Sequence, residues 1–364
     1  MRVADIIAVL ESWAPLAYAE DFDNVGLLVG DKDQQVSGVM ITHDCLEEVV
    51  KEAISKQCNF IVCFHPILFE GLKKISGESH VERAIRTAIK NDISIYALHT
   101  ALDNQPYGVS YGLASALELQ NTRVLIPKKG TLKKLNFYVP DSQAQKVQQA
   151  LFDVGAGQLG HYDQCSFVHE GKGGFRPLEN SQPYLGEKGI RHQEVEKQVQ
   201  LVFQAHLQKD VIKTLLENHP YEEVAYEITT LDNLHSHLGM GLIGTLKTPM
   251  TPKEFLEVVK TKLKTPVLRH SMLGKSTIKR VAVLGGSGSF AADAAKAKGA
   301  DAYITADLKY HDFFKGNDAF LLVDAGHFET EQFTKKLIAE YLIKKLPNFA
   351  VLLSGLDTNP VKYC

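Results

Sequence analysis

Apolar residues follow two rhythms along this chain. Short unbroken runs such as Phe60-Ile61-Val62-Cys63-Phe64 and Val39-Met40-Ile41 alternate with longer stretches in which apolar positions recur every three or four residues. Unbroken runs read as strands buried on both faces, and the longer stretches as amphipathic helices. This predicts a helix over 4–13 (Ile6, Ile7, Leu10, Trp13), a loop from Asp21 to Gly30, and a strand over 38–42. A helix over 46–56 follows, which Asp44 could cap, then the strand 60–64, a helix over 81–91 and a strand over 93–98. Strands alternating with helices imply βαβ units, a parallel sheet and right-handed crossovers.

Near Pro127-Lys128-Lys129-Gly130 the pattern changes. A strand (135–139), a helix (144–153) and a strand (164–168) recur as 199–205, 210–217 and 225–230, a β-α-β repeat expected of a ferredoxin-like domain. Between the copies, Gly171-Lys172-Gly173-Gly174-Phe175 and Pro183-Tyr184 read as a loop-like linker. The α/β pattern then resumes: a helix at 252–264, strands at 280–284, 302–305 and 320–323, helices over 291–298 and up to Tyr341, and a strand at 349–353. The predicted fold is two related α/β lobes, residues 1–127 and 235–364, forming one core, with an inserted ferredoxin-like α+β domain over 128–234.

Composition narrows the class. A chain of 364 residues exceeds one ordinary domain, and 45% hydrophobic with 23% charged residues is normal for a globular protein. A net charge of −3 argues against a dedicated nucleic-acid binder, and no apolar run is long enough to span a membrane. The start, Met1-Arg2-Val3-Ala4-Asp5, carries no signal-peptide pattern. Cys45, Cys58, Cys63, Cys165 and Cys364 form no CxxC pair, so neither a disulfide frame nor a cysteine zinc site is expected, and a reducing cytoplasm is.

Candidate chemistry collects where strands end. Pro66 has no N–H to donate, so it stops the 60–64 strand and leaves His65 at its carboxyl end, where open α/β sheets hold ligands. The 93–98 strand ends in His99-Thr100-Ala101-Leu102-Asp103, and the 320–323 strand in Asp324-Ala325-Gly326-His327-Phe328-Glu329-Thr330-Glu331. His327 and Glu331 are four apart at a helix start and can point the same way; imidazole with carboxylate suits zinc, iron or manganese. Each residue alone also has a plain structural reading: Glu331 facing a helix dipole, His65 as a core or capping histidine, Asp103 as a turn or cap. Convergence of three strand ends favours a ligand set. His99 and His311 are candidates for orienting ligands or for acid–base work, with a buried hydrogen-bonding histidine the other reading. The glycine-rich run at 285–290 lacks the Walker lysine and reads as a tight turn. His219–Tyr226 reads as a packing or regulatory surface, and His235 and His237 receive no role.

Several stretches together carry a resemblance: Asp23-Asn24-Val25-Gly26-Leu27, His65-Pro66-Ile67-Leu68-Phe69-Glu70-Gly71, His99-Thr100-Ala101-Leu102-Asp103, Asp307-Leu308-Lys309-Tyr310-His311 and the 324–331 segment. Over essentially its whole length the chain resembles the NIF-three-like dinuclear-metal-centre family, also called GTP cyclohydrolase type-2 homologues, in the long form with an insert similar to PII and CutA proteins. The resemblance implies that His65, Asp103, His327 and Glu331 bind one or two divalent transition metal ions per subunit, with a carboxylate bridging. It also implies a ring-like homohexamer with the metal sites facing an internal cavity. The expected activity is hydrolysis of a phosphate-containing or nucleotide-like small molecule by metal-activated water; the alternative is non-catalytic metal storage, delivery or sensing through the insert. One departure stands out. The family has His-His-Pro where this chain has Phe64-His65-Pro66, and it has an apolar residue where this chain has His43. Either His43 replaces the missing ligand in a relocated site, or His43 merely caps a strand and the centre holds one tight ion. Ala101 and Ala306 stand where the family favours Asn and Gly, which alters the expected pocket.

Overall fold

The computed structural model describes residues 1–234, 237–274 and 277–364, so His235 lies outside the described residues. The chain forms two compact units, Met1–Pro127 with Ser236–Cys364, and Lys128–His235.

The first unit contains two sheets. One runs in the order Gly26–Val29, Ser94–Ala97, Phe60–Cys63, Val39–Thr42, Val351–Leu353, parallel throughout except for the antiparallel edge strand Gly26–Val29. Phe60, Ile61, Val62 and Cys63 are all fully buried, because successive side chains leave opposite faces of a sheet covered on both sides. Phe60, Val62 and Phe64 join Val3, Ile6, Leu10, Ile338 and Leu342 on one face. Ile61 and Cys63 join Val49, Val50, Ala84 and Ala88 on the other. Each large apolar side chain buried this way contributes about 1.5–3 kcal/mol. Thr42 pairs with Cys63 and Cys63 with Ala97, so the residues that follow these strands emerge side by side at the carboxyl edge.

The second sheet runs Arg269–His270, Leu321–Asp324, Ala302–Ala306, Ile278–Ser287, Gly239–Met250, Gln120–Pro127. Its central strands Ile278–Ser287, Ala302–Ala306 and Leu321–Asp324 are parallel. The helix Pro252–Leu263 packs Phe255, Val259 and Leu263 into its core. Its start is a capping box in which Thr251 and Glu254 satisfy each other's backbone N–H. Three strands here escape the apolar-run pattern. Gly26–Val29, expected as loop, is an edge strand with only Gly26 buried, while Gln120–Pro127 and Gly239–Met250 mix polar residues and glycine into the ladder.

The second unit has β-α-β-β-α-β connectivity. Its sheet order is Phe167–Phe175, His192–Gln204, Leu132–Pro140, Tyr226–Leu231, all antiparallel. The helices Asp141–Asp153 and Gln208–Asn218 cover one face, burying Phe137, Val147, Leu151, Val199, Val211 and Leu215. The run Gly171–Phe175, expected as linker, is the second half of a strand paired residue by residue from Phe167↔Gln200 to Phe175↔His192. Its glycines and two-sided exposure hid the strand.

Candidate metal centre

The carboxyl edges of the two sheets in the first unit supply the side chains. His43 and His65 follow the strands Val39–Thr42 and Phe60–Cys63, and His327 and Glu331 span the short helix His327–Glu331 after Leu321–Asp324. Their ring Nε2 atoms converge on one oxygen. Glu331 Oε2 lies 3.3 Å from His43 Nε2, 3.3 Å from His65 Nε2 and 3.2 Å from His327 Nε2. His65 Nε2 and His327 Nε2 are 3.4 Å apart, so these two with Glu331 Oε2 form a nearly equilateral triangle. Ligands bound tetrahedrally at ordinary zinc distances are about 3.3 Å apart. His65, His327 and Glu331 thus have the spacing of three ligands on one ion.

The opposite side of each ring is held by a carboxylate. His65 Nδ1 meets Asp44 Oδ1 at 2.9 Å, His43 Nδ1 meets Asp44 Oδ2 at 3.1 Å and His327 Nδ1 meets Asp307 Oδ2 at 2.6 Å. Such pairs place the ring proton on Nδ1 and leave the Nε2 lone pair aimed inward. Asp44 is therefore not the helix cap it was expected to be; the helix Glu47–Ser55 has Leu46 at its N-cap and no side-chain cap. Thr358 Oγ1 donates to the same Asp44 carboxylate at 2.7 Å. His43, Asp44 and His65 also lie close enough to form a second metal-capable group. The Nδ1 contacts make Asp44 the group that orients both rings.

Burial makes this arrangement costly without a cation. His43 is 2% and Glu331 3% exposed, and neither His43 Nε2 nor Glu331 Oε2 takes part in a hydrogen bond despite their short separation. A buried polar atom left unpaired costs roughly 1–3 kcal/mol. Burial favours a neutral His65, but Asp44 and Glu331 outweigh it and push its pKa up to about 9. For His327, Asp307 and Glu331 likewise overcome burial and push the value up to about 11. Glu331 falls well below the usual carboxylate range, since His327, His43 and His65 together outweigh its burial. Asp103 goes the other way: burial, then the charge of Glu331, raise it well above its ordinary value. A cation between these groups would relieve the repulsion of the two carboxylates and replace the protons on the imidazoles, so the residues present fit a metal ion.

Asp103, His99, His327 and Glu331 line one cavity of about 390 Å³. His99 Nδ1 donates to Asp23 Oδ1 at 2.8 Å, leaving its other nitrogen free of that contact. His311 is not brought to the cluster. It is exposed on the 3₁₀ turn Tyr310–Lys315, with its ring 5.2 Å from Tyr310 and 6.1 Å from Phe314. Asp307, four residues earlier, is the group that faces the centre. His43 and Phe64 are neighbours, with ring centroids 5.5 Å apart.

The glycine run, expected as a tight turn, is instead the irregular end of the strand Ile278–Ser287 followed by a 3₁₀ turn at Ser289–Ala291, and it makes room for Glu331. Gly286 has φ +66°, and a Cβ there would sit 2.2 Å from Glu331 Oε1. Its N–H donates to Thr330 Oγ1 at 3.0 Å, tying this turn to the ligand helix.

An α/β protein with three imidazoles gathered on one buried carboxylate at its strand ends defines a candidate metal-binding protein. The Duf34/NIF3 (NGG1p interacting factor 3) family matches residues 1–360, and the chain belongs to that family. It is 40% identical over 98% of its length to 97% of a Bacillus subtilis protein described as "GTP cyclohydrolase 1 type 2 homolog". A Staphylococcus epidermidis protein of the same description is 32% identical over the full length of both. The crystal structure of a Bacillus cereus protein related to NIF3 superposes with TM-score 0.85 at 38% identity, covering 100% of this chain and 99% of that one.

Proposed function

We propose that this chain is a metal-dependent hydrolase whose centre is held by His65, His327 and Glu331, with Asp103 beside them and His43 supplying the nitrogen that Phe64 cannot. The observation that carries this reading is the single Glu331 oxygen lying within 3.3 Å of three carboxylate-oriented Nε2 atoms. These side chains would hold zinc, iron or manganese through imidazole nitrogen and carboxylate oxygen. When bound, such an ion would supply Lewis-acid activation of water for hydrolysis. The chain's own residues do the remaining work. Asp44 and Asp307 fix ring orientation, and His99, backed by Asp23, stands on the cavity wall where it can pass a proton to a leaving group. Phe22 and Phe69, with rings 6.5 Å apart on the same cavity, offer faces for a flat base, which supports a nucleotide-like substrate. The second unit's connectivity and strand order support reading it as a ferredoxin-like insert of the PII/CutA kind. Assembly as a homohexamer rests on the family resemblance.

Metal-stripped protein reloaded with zinc, iron or manganese and screened against phosphoesters and nucleotides tests the activity. Turnover that disappears in Glu331→Gln supports a hydrolase. Tight metal binding with no turnover on any of these, and transfer of the metal to an acceptor, would assign storage or delivery instead.

A further inference from the structure

A second cavity, of about 490 Å³, lies wholly within the second unit. Its floor includes Tyr138, Glu196 and Gln198, which alternate along their strands with the buried Phe137 and Val199. The floor is therefore the sheet face turned away from the two helices. Phe175, Tyr184 and Tyr221 form an aromatic wall, with ring centroids 5.8 Å apart for Phe175–Tyr221 and 6.3 Å for Tyr184–Tyr221. The segment carrying Pro183 and Tyr184 is pinned across the cavity. Gln182 N donates to both oxygens of Glu222, at 2.9 and 3.0 Å, and Gly189 N donates to Pro177 O at 2.8 Å.

The floor of this space presents a carboxylate. Glu196 is only 8% exposed, and its Oε1 accepts a hydrogen bond from Tyr221 Oη at 2.7 Å. Its Oε2 lies over Gly173, where a Cβ would come within 1.8 Å of it. Among the described residues no donor is bonded to that oxygen. The glycine run that looked like a linker thus keeps the carboxylate accessible. Of the other charged residues on the lining, Glu170 binds Lys197 Nζ at 2.8 Å and Glu222 holds the Gln182 backbone, while Glu223 adds a negative charge and Lys172 a positive one. A carboxylate this little exposed, with one oxygen held by Tyr221 and the other open to the cavity, suits a positive partner, and electron-rich ring faces attract the same charge.

We propose that this cavity binds a small organic cation, an ammonium or guanidinium group on an apolar body, with its charge on Glu196 and its flanks against Phe175, Tyr184 and Tyr221. Glu170, Glu196, Glu222 and Glu223 outnumber Lys172 on the lining, which disfavours anions. The site is independent of the metal centre, which contributes none of its residues.

Titration calorimetry of the full-length, metal-loaded protein with agmatine and with choline tests this. Saturable binding of at least one probe is expected. Glu196→Gln should weaken it at least about tenfold, the range of a charge-assisted hydrogen bond. Tyr184→Ala, at a half-exposed position, should weaken it roughly threefold to thirtyfold, the range of a cation–ring contact. Failure of both probes to bind at millimolar concentration overturns the proposal. So does binding that is equal in parent and Tyr184→Ala, or preference for inorganic phosphate over either cation.

Discussion

Replacing His43 with leucine separates a metal ligand from a packing residue. Leucine retains apolar bulk against Phe64 and Phe328, whose rings lie 5.5 and 5.3 Å from the imidazole, so the pocket is not emptied. What disappears is the Nε2 atom, buried, without a hydrogen bond and 3.3 Å from Glu331 Oε2, together with the Nδ1 contact to Asp44 at 3.1 Å. In the metal-free protein the net effect should be small, because removal of an unsatisfied buried polar atom offsets the lost bond to Asp44, which keeps His65 and Thr358 as partners. In the loaded protein it should be severe. Disturbing only the groups that orient a ligand costs roughly 10–100-fold in affinity, so removing a ligand should cost about 100-fold or more. At saturating metal, a 100-fold weakening reduces the metal's contribution to stability by about 2.7 kcal/mol. The assay is paired: metal content by elemental analysis with chelator competition, and thermal melting with and without metal. The double variant His43→Leu/Phe64→His returns a donor to the adjacent strand and should recover most of the affinity. If His43→Leu keeps full metal stoichiometry and an affinity within twofold of the parent, His43 is a packing residue and the two-ion reading of this chain fails.

Three further outcomes follow from the same geometry. In metal-free protein, His65 and His327 hold their protons more tightly folded (pKa about 9 and about 11) than unfolded. Their contribution is complete below the unfolded histidine pKa of about 6.5 and is lost as pH rises through the folded values. The melting temperature of the stripped protein should therefore fall between pH 7 and 9.5 more steeply than that of the loaded protein, in which metal replaces those protons; parallel curves would contradict this. Gly286→Ala, which drives a methyl group into Glu331 Oε1 and strains a positive-φ position, should lower metal content while circular dichroism stays native. Asp307→Asn should weaken metal binding roughly 10–100-fold by releasing His327 Nδ1, whereas His311→Ala should leave metal content unchanged.

Much of this architecture is readable from residue order, for definite reasons. The run from Phe60 to Phe64 sits in a sheet covered on both faces, and only a strand in that setting needs five apolar residues in a row. His65, His327 and Glu331 could be anticipated as neighbours because they follow parallel strands or begin a helix at a strand's end. His43 next to Phe64 follows from the pairing of Thr42 with Cys63. The supporting carboxylates were harder to read. Asp44 before a helix has the sequence of a cap, and its real partners, His43 and His65, are fixed only by tertiary structure. In the stretch from Asp307 to His311 the histidine draws the eye, yet the backbone turns after Asp307 and carries His311 to solvent. Edge strands such as Gly26–Val29 and Phe167–Phe175 lack the two-sided burial that produces an apolar signature.

The order in which the ligands appear along the chain bears on how metal is acquired during synthesis. His43 and His65 emerge early, while His327 and Glu331 lie beyond the whole second unit, and the strand Val351–Leu353 that closes the first sheet comes later still. A nascent or truncated chain therefore presents two imidazoles without the buried carboxylate on which they converge. A metal held by all of these side chains would then be captured only after both segments had been made and folded together.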